Sequence, residues 1–405
     1  MGKWQEKRLH HISQVFSGFA FAAEDMRDEG IPILKIGNIQ EKRVLKETNA
    51  YLPPNKILPK HNKYYLKETD TLIAMTGAGS VGKFGKMRNK TIEYLVNQRV
   101  GIIRPNIEKI NPDYLYYILT LQHYETYLYN IGIGAGQPNI SADDIGSVLI
   151  NYPDIKSQSR IADILSTYDD LIENNNRRIE LLEKAAQELY KEWFVRFRFP
   201  NHENTKFVNG LPERWEIRRV KEYGRVETGK TPPTSDSDNY SNEIMFVKTP
   251  DMHGNSYVIE TEEWLSFKGH KTQPKKLLPE NSIMVSCIGT GGVVAINALK
   301  AHTNQQINSI IPDDVKYLEW LYFTCKSLKE TIELFGATGA TMTNLSKGKF
   351  EKLKVIDPGK RLVYSFSEKT NPIFVEIKNL MKQNQNLKKQ RDLLLPRLMS
   401  GRLEV

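Results

Sequence analysis

Hydrophobic positions follow two periods along the chain. Short apolar runs bounded by Gly, Pro and Asn are typical of β-strands, and the sequence predicts them at residues 31–36, 71–75, 99–104, 244–248, 282–287 and 307–311. Apolar residues three or four positions apart predict helices at 112–127 and 316–334. Two much longer helices are expected, one over 158–194 and one from about Pro372 onward, which Pro396 should end or kink.

The same order of elements occurs twice. Trp4 matches Trp215 at an offset of 211 residues, and Asn139 matches Asn344 at an offset of 205. Matches keep their order over about 185 residues, and the small changes in spacing are those that loops tolerate. The pattern therefore indicates a tandem duplication. Two similar units suit a ligand with two half-sites, as duplex DNA has.

The predicted fold class is α+β, with two similar globular domains separated by two long antiparallel helices that form a coiled coil, in a pseudo-two-fold internal repeat. The expected boundaries are 1–155 and 201–362 for the globular domains, and 156–200 and 363–405 for the long helices. The apolar stripes are too narrow for core helices, although packing of each helix on its own globular domain stays open. The predicted seam residues are Leu171, Ile172, Ile179, Leu182, Ala186, Leu189, Ile377, Leu380, Leu387 and Leu394.

Charge supports contact between the two long helices. Residues 160–198 carry 7 basic and 8 acidic side chains, whereas residues 371–405 carry 7 basic and 3 acidic ones, and opposite bias favours pairing. The net charge of +9 suits a polyanionic partner. Two cysteines and the histidine spacing disfavour disulfide and metal sites. No signal-peptide core or long apolar stretch is found, so we expect a cytoplasmic protein without membrane contact.

The string GAGSVGK at residues 77–83 fits two nucleotide-binding patterns, GxGxxG and GxxxxGK. Three features disfavour a nucleotide-dependent enzyme. Phe84 stands where a phosphate-binding loop needs Ser or Thr, the second copy has no lysine, and no acidic residue follows at the distance that ribose binding requires. We predict a tight glycine turn, which either carries a basic loop towards phosphate or is a plain hairpin. Other catalytic motifs are absent from the sequence, so the chain is expected to lack catalysis of its own.

Several strings resemble those of one family, the specificity subunits of type I restriction–modification enzymes. They are IADILSTYDDLI at 161–172, LLEKAAQELY at 181–190, LPxxW at 211–215, GKTPP at 229–233 and LLPRLMSG at 394–401. With the two-copy layout, the resemblance covers essentially the whole chain. It implies two target recognition domains, each of which reads one half of a split site in double-stranded DNA. A coiled-coil scaffold that joins proteins without reading DNA remains the alternative.

The resemblance also implies the partners. Two methyltransferase (modification) subunits would dock on the helices and methylate adenine with S-adenosylmethionine, and restriction subunits that use ATP and Mg would cut unmodified foreign DNA. These cofactors would belong to the partners, and none is expected in this chain. A helix of some 35 residues spans roughly 50 Å, or at most about 15 base pairs. Unread bases are therefore expected between the two half-sites.

No base-reading residue is carried over from the family, so candidate DNA contacts are chosen by their chemistry. Cations suit phosphate, and forked side chains can read base edges. A hydrogen bond to the residue's own loop is the alternative for each polar candidate. The candidates are Lys83, Lys86, Arg88 and Lys90 for phosphate, Gln98, Arg99, Gln305 and Gln306 for base edges, Gln137, Asn139, Thr343 and Asn344 in Gly-rich loops, and Lys35, Lys230, Lys248, His253 and Thr290 as further contacts.

Overall fold

The computed structural model describes residues 4–40, 42–88, 90–133, 136–254, 256–336 and 343–405. The chain divides into two compact units. Unit 1 comprises Met1–Ile172 and Asn386–Val405, and unit 2 comprises Glu173–Gln385. Each unit therefore contains one globular region together with part of both long helices.

The elements of unit 1 begin with a strand and end in the first long helix. Its strands are β1 (Gln5–Arg8), β2 (Ser13–Ser17), β3 (Ile31–Leu34), β4 (Ile39–Gln40), β5 (Arg43–Val44), β6 (Tyr51–Leu52), β7 (Thr71–Ala74), β8 (Phe84–Gly85), β9 (Leu95–Val96), β10 (Val100–Pro105) and β11 (Leu149–Tyr152). Its helices are α1 (Pro112–Leu119), α2 (Gln122–Gly132), α3 (Ala142–Gly146) and the first half of α4 (Ile155–Tyr190). The main sheet has the order β2-β10-β7-β8, and a smaller one has the order β6-β3-β9.

Unit 2 repeats this order of elements. Its strands are β12 (Phe207–Val208), β13 (Leu211–Pro212), β14 (Glu216–Arg219), β15 (Gly224–Thr228), β16 (Tyr240–Val247), β17 (Tyr257–Val258), β18 (Glu263–Leu265), β19 (Ile283–Ser286), β20 (Ile288–Gly289), β21 (Val294–Asn297), β22 (Ala301–Thr303), β23 (Ile307–Pro312), β24 (Thr343–Asn344) and β25 (Lys354–Asp357). Its helices are α5 (Phe267–Lys271), α6 (Leu318–Ser327), α7 (Lys329–Gly336), α8 (Lys347–Glu351) and α9 (Lys360–Met399), which continues into unit 1.

The two units share strand pairing as well as element order. The main sheet of unit 2 has the order β15-β23-β19-β21-β17, in which β15, β23 and β19 correspond to β2, β10 and β7. Each unit also has a parallel pair, β3 with β9 and β16 with β22, and unit 2 has a second one, β17 with β21. The central strand β10 is buried on both faces, because Ile103 lies in one hydrophobic core and Val100 and Ile102 lie in another, and its sequence is therefore a nearly continuous apolar run. The predicted fold class, two similar α+β units with long antiparallel helices, is confirmed.

The single helix predicted at 112–127 is wrong, because the structure has two helices there. The hydroxyl of Thr120 donates to the carbonyl of Tyr117 at 2.8 Å, and Leu121 is extended. The helix of unit 2 likewise ends at Ser327, and the next one begins at Lys329. The apolar face continues across both breaks, so hydrophobic periodicity alone does not reveal them.

The second long helix begins earlier than the sequence suggested. Pro372 lies inside α9 rather than at its first turn. A proline in a helix interior costs about 3 kcal/mol. Val363 and Phe366, which precede it, are fully buried in the core of unit 2, and burial of two such side chains exceeds that cost. Pro396 lies three residues before the end of the helix at Met399.

Pairing between α4 and α9 runs antiparallel within unit 2. Arg178 forms an ion pair of 2.7 Å with Glu376. Earlier on α4, the amide nitrogen of Asn175 donates to Asn384 at 3.0 Å, and Asn384 donates to Asn176 at 2.8 Å. Residue numbers therefore rise along one helix as they fall along the other. The buried asparagines are suited to fix the register of the pair, as polar residues in a helix seam do.

Part of the predicted coiled-coil seam belongs to the hydrophobic cores of the globular regions. Ile172, Ala186, Ile377 and Leu380 are buried, and Ile179, Leu182, Leu189, Leu387 and Leu394 are half-buried, but Leu171 is 48% exposed and lies outside the seam. Ala186 and Ile377 belong to the hydrophobic core of unit 2, and Leu394 packs on that of unit 1. The argument that the stripes are too narrow for core helices is therefore wrong for these segments, and the packing left open as an alternative is present.

Replacing Asn384 by alanine should destabilise unit 2. Asn175 is buried, and the substitution removes the only acceptor that its side-chain amide has among the described residues. An unsatisfied buried amide costs about 1–3 kcal/mol, so we expect the free energy of unfolding to fall by that amount in urea titrations. Gln383→Ala, at an exposed position of the same helix, is the matched control. Equal stability of the two variants would show that the asparagine contacts contribute nothing.

Candidate nucleic-acid interface

The glycine string of unit 1 is a turn between two antiparallel strands. It joins β7 to β8, in which Leu72 pairs with Gly85 and Ile73 with Phe84. The backbone N–H of Gly82 donates to the carbonyl of Ala74 at 2.9 Å and closes the turn. A nucleotide-binding loop instead leads into a helix whose N-terminus holds the phosphates. Since a strand follows here, the string is the tight turn of a hairpin and differs from a nucleotide-binding loop.

The turn packs against a helix in both units, which explains a glycine at its end. Gly82 has φ +82°, and a Cβ there would lie 3.0 Å from the carbonyl oxygen of Glu125 on α2. Gly292 has φ +76°, and its Cβ would lie 2.6 Å from the side chain of Lys329 on α7. Both the backbone angle and the close approach exclude a side chain.

Three segments of unit 1 meet at the end of β7. The backbone N–H of Met75 donates to the carbonyl of Arg99 at 3.0 Å, and its carbonyl accepts from Ile140 at 2.9 Å. Thr76 forms a β-bridge with Asn139. We call residues 76–83, 97–99 and 137–139 the unit 1 face. It brings together five of the predicted contacts, all with exposed side chains: Lys83, Gln98, Arg99, Gln137 and Asn139.

Unit 2 has the same arrangement around Cys287. Its N–H donates to the carbonyl of Gln306 at 2.7 Å, and its carbonyl accepts from Leu345 at 2.9 Å. Strand β20 pairs with β24, so that Gly289 faces Thr343. We call residues 288–292, 304–306 and 343–344 the unit 2 face. Among the predicted contacts it brings together Thr290, Gln305 and Asn344, which are exposed, Gln306, which is half-buried, and Thr343, which is described here by its backbone alone.

A fourth segment adjoins the unit 2 face. The N–H of Lys230 donates to the carbonyl of Thr303 at 2.9 Å, and the Lys230 side chain is exposed. The hydroxyl of Thr231 donates to Oε1 of Gln305 at 2.6 Å. Thr231 was not among the predicted contacts, although it lies in the GKTPP string, and the only sequence signal for it was that string. Its role depends on a partner 74 residues away.

Three of the four cations predicted for phosphate form ion pairs inside unit 1, which leaves them less available to DNA. Lys86 is buried and pairs with Asp113 at 2.6 Å. Arg88 pairs with Asp170 at 2.8 Å and Asp169 at 3.3 Å. The side chain of Lys90 donates to the carbonyl of Leu66 and pairs with Glu93, at 3.2 and 2.9 Å. The carboxylates that hold Lys86 and Arg88 are remote in sequence, whereas Glu93 lies three residues after Lys90.

The Arg88 cluster is a structural network rather than a surface for ligands. Asp169 also accepts from the hydroxyl of Tyr117 at 2.6 Å and from Arg391. Burial, and then the charge of Asp169, raise the pKa of Tyr117, which therefore remains a donor at neutral pH. These contacts tie both long helices to the globular region of unit 1.

The remaining candidates occupy corresponding edges of the two faces. Lys35 is half-buried and directly follows Leu34, whose carbonyl accepts from Asn97 at 3.0 Å. Lys248 is half-buried, and its side chain forms an ion pair with Glu263, which leaves it less available to phosphate. His253 is exposed at the end of the following 3-10 turn.

The chemistry of the two faces is that of hydrogen bonding. Burial raises the pKa of Cys287 to about 11, which keeps this thiol neutral and unreactive at the centre of the unit 2 face. Within the described ranges, no cluster of three or more metal-binding side chains occurs. In that same part of the chain, helices long and apolar enough to cross a membrane are not found. Amide, guanidinium and ammonium groups on a rigid turn are the groups that contact phosphates and base edges.

Comparisons with known proteins show one family over most of the chain. The family profile described as the type I restriction modification DNA specificity domain matches residues 1–184 and 212–360. The HindI specificity subunit of Haemophilus influenzae is 30% identical over 467 aligned positions, which cover 100% of both chains. The MjaIX specificity subunit of Methanocaldococcus jannaschii is 30% identical over 82% of this chain and 78% of its own.

A solved structure shows the same fold. The S subunit of a type I restriction–modification system from M. genitalium has a TM-score of 0.60 at 14% identity, and the alignment covers 98% of this chain and 96% of that one. The family profile matches well over half of the sequence and reaches into both units. The chain therefore belongs to the specificity subunits of type I restriction–modification systems, and it is a sequence-specific DNA-recognition subunit.

Proposed function

We propose that the unit 1 face and the unit 2 face each read one half of a split site in double-stranded DNA. The repeated arrangement around Met75 and Cys287 carries this proposal, because it presents polar side chains on equivalent turns of both units. Arg99 offers a forked guanidinium suited to guanine, and Gln98 an amide suited to a base edge. Lys83 and Lys230, both exposed, would contact phosphates.

The chain itself supplies recognition and no catalysis. Methylation of adenine with S-adenosylmethionine would be performed by two methyltransferase subunits, and cleavage with ATP and Mg by restriction subunits, in the cytoplasm where the DNA lies.

The long helices offer apolar side chains for docking of the methyltransferase: Leu171 and Leu393 in unit 1, and Leu181 and Val375 in unit 2, are 48–65% exposed. Exposed apolar residues on a helix face are suited to a partner surface.

The first experiment identifies the site. The chain is expressed with its methyltransferase subunit, the complex is purified, and the methylated positions of the host DNA are sequenced. A split motif with a modified adenine in each half is expected. A stable complex that methylates no split motif would instead favour the coiled-coil scaffold.

Arg99→Ala should weaken recognition of one base pair in one half-site. Loss of a bidentate contact costs about 1–3 kcal/mol, and Arg99→Lys, which keeps the charge without the fork, should restore little of it. Affinities for the identified site and for its single-base variants measure this effect. Lys83→Ala is the contrasting variant, since loss of a phosphate contact should weaken binding to all sequences alike and reduce its salt dependence. Unchanged base preference in Arg99→Ala would remove Arg99 from the reading face.

The long helices should set the spacer between the half-sites. Seven residues inserted into each helix, after Ile172 and after Gln385, add about 10 Å at 1.5 Å per residue and keep the apolar stripe in phase to about 20°. We expect the methylated motif to gain up to about three unread base pairs. The same insertion in the loop after Asn209 should leave the spacer unchanged. An unchanged spacer in the helix variant would contradict this role.

A further inference from the structure

The two glutamines on the unit 2 face are held by their neighbours. Asn304 is buried, and its Oδ1 accepts from the backbone N–H of Gln306 while its Nδ2 donates to Oε1 of Gln306, both at 3.1 Å. Oε1 of Gln305 accepts from the hydroxyl of Thr231 at 2.6 Å. Each glutamine therefore has its carboxamide oxygen engaged by a side chain of its own unit.

The carboxamide nitrogens remain as donors. Within the part of the chain that the structure describes, neither Nε2 atom donates to another residue. Gln305 is exposed, and Nε2 of Gln306 lies beside the glycine turn, 3.9 Å from where a Cβ of Gly289 would be. Both carboxamide groups therefore keep donor hydrogens that no described residue of the chain engages.

Unit 1 keeps the backbone hydrogen bond of this turn, but it lacks the two side-chain hydrogen bonds that hold the glutamine oxygens in unit 2. Oδ1 of Asn97 accepts from the N–H of Arg99 at 3.3 Å, as Asn304 does from Gln306. Arginine has no acceptor atom for the asparagine amide, and Ala20, which occupies the position of Thr231, has no hydroxyl. Orientation of the reading side chains is therefore a property of unit 2 alone.

We infer that Gln305 and Gln306 read the N7 and O6 edge of guanine in the half-site of unit 2, with Thr231 and Asn304 as positioning residues. Glutamine recognises adenine by accepting from N6 and donating to N7, which needs a free oxygen. Here each oxygen already accepts one hydrogen bond within unit 2, whereas the two Nε2 donors have no partner among the described residues, and two donors match the edge that offers only acceptors, that of guanine. This inference rests on the proposed function.

The test uses the complex with methyltransferase and its identified site. Each guanine is replaced in turn by 7-deazaguanine, which removes the N7 acceptor and keeps Watson–Crick pairing. The wild-type complex should lose about tenfold in affinity at one guanine of one half-site. In Gln305→Ala or Gln306→Ala, the same replacement should no longer matter.

Positioning is tested at Thr231. Thr231→Val removes the hydroxyl at nearly constant volume and should reduce the penalty for 7-deazaguanine, whereas Thr231→Ser keeps the hydroxyl and should restore it. A merely structural threonine would change the affinity for modified and unmodified duplexes equally. Arg99→Ala in unit 1 is the matched control, and its effect should fall in the other half-site.

Two results overturn the inference alone. They are a site without a 7-deazaguanine-sensitive position, and a penalty that persists in both alanine variants. A wild-type complex that prefers no split site overturns the proposed function as well, so the two failures are distinguishable.

Discussion

In each candidate interface, a single residue holds the neighbouring segments together, because both its backbone N–H and its backbone carbonyl form hydrogen bonds. Met75 in unit 1 and Cys287 in unit 2 continue a buried strand for one further residue and receive a chain segment on either side. Backbone hydrogen bonds do not depend on side-chain identity. The frame can therefore stay constant while the exposed side chains beside it differ, and a reader of DNA sequence requires that separation.

The sequence revealed what is periodic and local. The duplication, the strands and the long helices follow from repeated apolar spacing. The fates of Lys86 and Arg88 could not be predicted, because their partners Asp113 and Asp169 lie 27 and 81 residues away. Thr231 was missed for the same reason. Residues that look like a basic loop in the sequence form ion pairs in the structure, because Lys86 lies against α1 and Arg88 lies against α4.

The apolar stripes of the long helices serve both of the predicted purposes, which are pairing between the helices and packing on the globular regions. Ile377 and Phe374 join the core of unit 2, and Leu395 and Leu398 that of unit 1, so these segments are core helices. Asn175 and Asn384 form a buried polar contact between them, which a continuous apolar seam would lack. A narrow stripe was sufficient because aromatic side chains such as Phe374 bury more area than aliphatic ones.

The faces share a frame but differ in their side chains, with Gln98 and Arg99 standing where Gln305 and Gln306 stand. If each face reads one half-site, these unlike halves imply a target without dyad symmetry. The two strands of such a target read differently, so each copy in a genome has one of two orientations along the chromosome. If one adenine is modified in each half, on opposite strands, the two daughter duplexes inherit their parental methyl group in different halves. Replication would then give two chemically distinct intermediates, which the same complex must recognise as self.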